Sequence, residues 1–325
     1  MTKSSDSRPA ALPPAHTGGT GPPSRDNRRQ PTILDDSIVG RHGAISVRRY
    51  EPAAPVPGAE TIVWLHGGSF SHGDLDQPES HAPALELAAA GHIVVAVDYR
   101  RVPPWSWARK PKPGTFGGIR FPVPVDDVID TFEHVRAETT TGPVALGGAS
   151  AGACLVAGTA LRLHRESYVG PTQLVLAYGT FHAVLPSIST ELRSRIRGRH
   201  GLMQFKPGPV EKMNRNYAGS LEQMSNPYAF PGGHNLTGLP PTLLVDADRD
   251  SLRASGGAFA QELARAGVPV DYEIVAEATH GFLNRPGTAH FNTGIGAMVR
   301  WLGSQPKKRA QNSSSRKARF PSAER

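Results

Sequence analysis

Val144-Ala145-Leu146-Gly147-Gly148-Ala149-Ser150-Ala151-Gly152-Ala153-Cys154 is the stretch from which the rest of the chain can be read. A short apolar run at 144–146 reads as a strand, and 151–165 carries apolar residues at helical spacing. Between them Gly148-Ala149-Ser150-Ala151-Gly152 forms a G-x-S-x-G pattern in a strand–turn–helix setting. Such a turn holds its serine in a strained backbone conformation with the hydroxyl above the sheet. Glycines two residues either side let the neighbouring elements approach. The helix that follows directs free N–H groups and the positive end of its dipole at any developing anion.

Upstream, the apolar run 61–65 leads into His66-Gly67-Gly68-Ser69-Phe70. Adjacent glycines after a strand allow backbone amides to face the same space, so Gly67 and Gly68 are candidate oxyanion donors together with the amide of Ala151. Downstream, the strand 242–245 runs into Asp246-Ala247-Asp248-Arg249-Asp250. An EF-hand would need Gly at its sixth position and Glu at its twelfth; Ser251 and Gly257 stand there, which excludes that loop. Asp250 is preferred to Asp248 as an orienting carboxylate, and Asp246 is expected to stabilise the loop. Of 13 histidines, His280 alone follows the last strand through a short loop. A serine hydroxyl is a weak nucleophile without a base, and the base needs a partner that fixes its tautomer. The order Ser150, Asp250, His280 supplies all three.

Strand candidates at 45–50, 61–65, 93–97, 144–146, 174–178, 242–245 and 272–275 alternate with helix candidates at 83–90, 125–137, 151–165, 252–266 and 292–302. Continuous Val/Ile/Leu runs suit strands covered on both faces, so an α/β fold is expected, a mostly parallel sheet with helices on both sides. Two stretches interrupt this rhythm. Residues 101–120 are rich in Pro, Gly and Lys and carry Trp105 and Trp107, which reads as a long loop. Residues 183–238 exceed one crossover and bring Met203, Phe205, Met213 and Tyr217; an inserted cap is expected there, with a satellite helix pair as the alternative.

The chain has 325 residues and a formal charge of +8. Residues 1–30 carry five Lys/Arg against two acids and 303–325 carry seven against one, leaving the centre at −1. The charge thus lies in Pro-, Ser- and Gly-rich ends, expected to be a disordered leader (1–30) and a disordered basic tail (305–325) around one domain at 31–304. A specific nucleic-acid surface would need that charge on the folded part. The single cysteine, Cys154, excludes an internal disulfide. Neither a signal peptide nor an apolar run of ~18 residues is present, so a cytoplasmic protein with no membrane contact is expected. No zinc signature or phosphate-binding glycine loop occurs, and no cofactor or metal is expected.

Several further motifs join these. His66-Gly67-Gly68 is followed by Gly73-Asp74, then by Val97-Asp98-Tyr99-Arg100 with Pro103, by Phe121-Pro122 ahead of Asp126-Asp127, by Asp250-Ser251-Leu252-Arg253, and by His280-Gly281-Phe282. With them the sequence resembles the hormone-sensitive-lipase-like esterases of the α/β-hydrolase fold, from about Asp36 to Leu302. The resemblance implies an eight-stranded sheet, a cap over the site, and hydrolysis of short-chain carboxylic esters by a Ser150–His280–Asp250 triad without a cofactor. The sequence departs from many relatives at Ala149 and Ala153, and Ser69 replaces a third glycine while keeping its N–H. The expected partner is a small-molecule ester; the oligomeric state, including a homodimer, is left open. The same triad would serve an amide or N-acetyl deacetylase acting on a secondary metabolite, which the sequence does not separate from an esterase; a non-catalytic small-ligand receptor fits the intact triad less well.

Overall fold

The computed structural model describes residues 30–104, 118–138, 142–196 and 204–304. The expectations for residues 1–29, for the loop with Trp105 and Trp107, and for the basic tail lie outside these residues. In chain order the elements are β1 (Thr32–Gly40), β2 (Gly43–Glu51), β3 (Thr61–Leu65), α1 (Pro78–Ala89), β4 (Val94–Asp98), α2 (Val123–Glu138), β5 (Val144–Ala149), α3 (Ala151–Arg165), β6 (Leu174–Ala177), α4 (Thr190–Arg195), α5 (Pro207–Ala218), α6 (Leu221–Met224), β7 (Thr242–Arg249), α7 (Arg253–Arg265), β8 (Val270–Thr279) and α8 (Ala289–Ser304). The strands form one eight-stranded sheet in the order β1-β2-β4-β3-β5-β6-β7-β8. β1–β2 and β2–β4 pair antiparallel and every later pair is parallel.

Both faces of the central strands are buried, and the period of two splits their side chains between two cores. Val63, Leu65, Val95, Val97, Leu146, Leu174 and Leu176 point to the side covered by α2, α3 and α7. Ile62, Trp64, Val94, Ala96, Ala145 and Val175 point to the side covered by α1 and α8. This two-sided covering is why the strands read as continuous apolar runs. None of the described helices is long and apolar enough to cross a membrane.

Two elements differ from the sequence reading. β1 was not anticipated, since Ile33, Leu34 and Val39 are exposed and only Ile38 of the strand is buried. It is held by a nine-residue ladder to β2 and by an ion pair from Arg48 of β2 to Asp35 (2.5 Å). Helix α1 begins at Pro78 rather than Pro83. A proline inside a helix removes the bond to the carbonyl four residues back; here that carbonyl, on Glu79, accepts instead from the indole N–H of Trp64 at 2.9 Å.

The segment between β6 and β7 divides in two. Its end joins the body of the protein: Ala229, Phe230 and Leu236 pack in the core beside α3, and the Cys154 thiol donates to the Ala229 carbonyl. The part containing α4 and α5 reaches the loop after β7, where Gln204 accepts from Ser251 N (2.7 Å) and the Phe205 carbonyl accepts from the Ser251 hydroxyl (2.9 Å). Arg253 ties α4 to β7 by ion pairs with Glu191 and Asp248.

Candidate active site

Ser150 sits at the junction of β5 and α3 with φ 52° and ψ −116°, a backbone region that non-glycine residues seldom enter. The turn is held by the Ser150 amide, which donates to the Ala177 carbonyl at 2.8 Å. It is also tight: a Cβ on Gly152 would overlap the carbonyl oxygens of Leu65 and His66. The crowding by β3 explains the glycine and brings the residues after β3 next to the serine.

The Ser150 hydroxyl lies 3.0 Å from Nε2 of His280, and His280 Nδ1 lies 2.6 Å from Oδ2 of Asp250. A carboxylate only accepts, so Nδ1 carries the proton and Nε2 is free to accept from Ser150. The three predicted side chains, from β5, β7 and β8, are therefore brought together in the expected order. Burial disfavours the imidazolium, but the charge and hydrogen bond of Asp250, aided by the charge of Glu79, outweigh it and raise the pKa of His280.

The three aspartates at the end of β7, Asp246 and Asp248 within the strand and Asp250 just after it, have separate partners. Asp250 accepts from His280 and, through Oδ1, from the Leu252 amide at 2.9 Å. Asp248 accepts from Arg253 (3.0 Å) and from the Glu277 amide (3.1 Å). A register shift between β7 and β8 at Ala247/Arg249 turns the chain so that the third aspartate, not the second, reaches the imidazole. Asp246 is fully enclosed, accepts from Tyr272 Oη at 2.9 Å, and has no partner for Oδ1 among the described residues.

Burial, against the Tyr272 hydrogen bond and with the charge of Asp250, pushes Asp246 up to about 8. A carboxyl whose folded pKa exceeds its unfolded value stabilises fully below the unfolded pKa, and that stability is lost as pH rises through the folded one. Between about pH 4 and 8, wild-type stability should therefore fall relative to Asp246→Asn, by up to about 1.4 kcal/mol per pH unit. Urea unfolding of both proteins at pH 5, 6, 7 and 8 measures the difference. Parallel curves would show that Asp246 is ionised in the folded protein across this range.

The oxyanion donors require one correction. Gly67 was expected to contribute its amide, but that N–H donates at 3.0 Å to Oε1 of Glu79, because the carboxylate lies directly beside the loop. Gly68 and Ala151 remain, and the amide of Ser69 joins them; among the described residues these three donate to no protein acceptor. Ser69 and Phe70 hold positive φ of 56° and 63°. The buried Phe70 ring, stacked at 4.0 Å on Tyr217 of α5, anchors that curl.

Glu79 and Tyr178 were not identified from the sequence. Both are buried, and Tyr178 Oη donates to Glu79 Oε2 at 2.9 Å while its ring meets the His280 ring edge-on at 5.0 Å. Neither lies in a motif of its own, although Glu79 follows Gly73-Asp74 at short range and Tyr178 ends a strand facing Ser150. Phe205 closes the other side of the imidazole, with ring centroids 4.6 Å apart. Beside it a cavity of about 240 Å³ runs from Ser69 and Ser71 to Pro209, Val210 and Met213.

The remaining motif residues are structural supports. Arg100 binds Asp127 through its guanidinium and its amide, and donates to the His42 and Ala44 carbonyls at 2.8 and 3.0 Å. Asp126 holds Arg162 at 2.7 Å. Together they fasten β2, β4, α2 and α3.

A strand–serine–helix turn with this sheet order defines an α/β hydrolase, and comparison with known proteins narrows the class. A family model for the α/β-hydrolase fold matches residues 116–284. The chain is 31% identical over 265 residues to the carboxylesterase NlhH of Mycobacterium tuberculosis, covering 77% of this chain and 76% of that one. It is 29% identical over 281 residues to the esterase LipI of the same organism, covering 81% and 80%. The solved esterase of Pyrobaculum calidifontis superposes with a TM-score of 0.71 at 26% identity, covering 86% of each chain. The protein belongs to the α/β-hydrolase family. It is a carboxylesterase-type hydrolase.

Proposed function

We propose that this enzyme cleaves short-chain carboxylic esters through an acyl-enzyme on Ser150. The observation that carries the reading is the unbroken chain Ser150–His280–Asp250 beside the amides of Gly68, Ser69 and Ala151, which donate to no acceptor among the described residues. His280 takes the proton of Ser150 as its oxygen attacks the ester carbonyl, and the three amides bind the oxyanion. His280 then protonates the leaving alcohol; water attacks the acyl-enzyme by the same route in reverse. Asp250 keeps the proton on Nδ1 and stabilises the imidazolium. We assign α4 and α5, with the preceding loop, to a cap over this site.

Cavity size supports the short-chain preference. At about 240 Å³ it lies below the usual range of drug-sized ligand pockets, and its walls of Phe205, Val210 and Met213 suit an apolar chain of few carbons. Each enclosed methylene adds about 0.8 kcal/mol, about four-fold in kcat/KM, until the chain meets α5. Specificity constants for p-nitrophenyl esters are expected to rise from acetate to butyrate or hexanoate and then fall. A lipase would need an exposed apolar lid, whereas α4 carries exposed Glu191, Arg193 and Arg195 and buries Leu192. Rates that climb steadily to palmitate would overturn the reading in favour of a lipase. Acetate release from N-acetyl compounds without ester turnover would make the enzyme a deacetylase instead.

A further inference from the structure

We propose that Glu79, at the start of α1, is a positioning residue that holds the oxyanion-binding loop and His280 in mutual register through its carboxylate. The proposal rests on the reading of Ser150 as nucleophile. Oε1 of Glu79 accepts from the Gly67 amide at 3.0 Å and from Gln77 Nε2 at 2.7 Å, and Oε2 accepts from Tyr178 Oη at 2.9 Å. The backbone of the same residue is also fixed. Its N–H donates to Asn284 Oδ1 at 3.2 Å, on the turn after His280, and its carbonyl accepts from Trp64 of β3. One buried residue thus joins the loop after β3, the segment after β6 and the loop that carries the base.

The geometry transmits this fixation to the reacting centre by two routes. Gly67 is held at both ends: its N–H by Glu79, its carbonyl by His66 Nδ1 at 2.6 Å. A trans peptide is planar, so fixing the Gly67 carbonyl also fixes the Gly68 N–H, which points the opposite way. Gly67 in turn lies against Ser150, where a Cβ added to it would come within 2.9 Å of the serine Cβ. The second route runs through Tyr178, whose hydroxyl is bound to Glu79 while its ring packs on both His280 and Phe282 at 5.0 Å. Three donors and the first turn of a helix stabilise a carboxylate at this depth. Its negative charge would oppose the oxyanion but favour the imidazolium that forms with it.

The isosteric change Glu79→Gln separates positioning from mere packing. It is expected to lower kcat about 10–100-fold with KM changed less than about three-fold, as sub-ångström misplacement of a reacting group does. Inhibition constants of a trifluoromethyl ketone, which forms an oxyanion on the serine, should rise in proportion. The groups facing His280 are Asp250, Asp246, Glu79 and Tyr178; those facing Glu79 are Tyr178, Tyr99 and His280. Removing the Glu79 charge should move the acid limb of the kcat/KM profile to lower pH. A folded Gln variant with lower melting temperature but unmoved kcat, inhibitor affinity and acid limb would overturn the proposal.

Should Glu79→Gln not fold, Tyr178→Phe decides, since it removes one of the three donors and keeps the Glu79 charge: several-fold changes of kcat and inhibitor affinity in the same directions support the proposal, and unchanged values of both overturn it. Labelling with a fluorophosphonate keeps the two readings apart. Label on Ser150 together with an unaltered Gln variant overturns the role of Glu79 alone. Label on another residue overturns it together with the assignment of the nucleophile.

Discussion

Ser150→Ala is expected to lower kcat on p-nitrophenyl butyrate by on the order of 10⁴–10⁶-fold while leaving the melting temperature within a few degrees of wild type. The two halves of this expectation have different origins. The hydroxyl is the only atom lost, and its hydrogen-bond partner is His280, so little packing is given up. The strained turn belongs to the backbone, with φ 52° and the Ser150 amide bound to Ala177, and alanine inherits both unchanged. Chemistry loses far more. Without a nucleophile the site can only bind the ester and polarise its carbonyl through the Gly68, Ser69 and Ala151 amides, which leaves a small residue of catalysis. A folded variant keeping more than about a tenth of the wild-type kcat would remove Ser150 from the mechanism.

The parts of the site that were legible in the sequence are those in which chemistry restricts the residue and its neighbours at once. Gly148 and Gly152 flank Ser150 because β3 and α3 come too close for a side chain, so the pattern is visible as letters. Asp250 follows the apolar run at the start of β7 and His280 follows the mixed strand β8, and both could be placed above the sheet from topology alone. Glu79 could not. It reaches the site from the first turn of a helix whose start is hidden by the internal Pro83, and a glutamate in that turn is as common on an exposed surface.

The Gly67 amide was misjudged for the same reason, since its direction depends on a carboxylate twelve residues later. β1 was invisible because its side chains bury almost nothing; backbone pairing and Arg48 hold it, and neither leaves a hydrophobic period. The cap illustrates a further limit. Apolar content in 183–238 indicated bulk, but not that Phe230 and Leu236 would join the main core while Phe205 closes over the imidazole.

Asp250→Asn should reduce kcat by on the order of 10⁴-fold, and the cause can be traced atom by atom. Oδ1 of Asp250 accepts from the Leu252 amide and Oδ2 accepts from His280 Nδ1. An asparagine has one acceptor and one donor in their place. Keeping the bond to Leu252 turns its NH₂ towards Nδ1, which must then accept. The imidazole proton moves to Nε2, and the ring can no longer take the proton of Ser150. The flipped amide would restore the tautomer but leave the buried Leu252 N–H facing a donor, and either orientation forfeits the charge that stabilises the imidazolium. The neighbouring aspartates predict different losses. Asp248→Asn weakens the buried pair with Arg253, so its effect should fall on stability, at about 3–5 kcal/mol or less, with kcat within several-fold of wild type. Asp246→Asn replaces a carboxyl held by Tyr272 with a neutral group of the same shape and should spare turnover. Steady-state rates and urea midpoints for the three variants, measured side by side at pH 7, test this ordering. A severe loss of kcat in Asp248→Asn, with Asp250→Asn near wild type, would move the orienting carboxylate to the second aspartate of the loop.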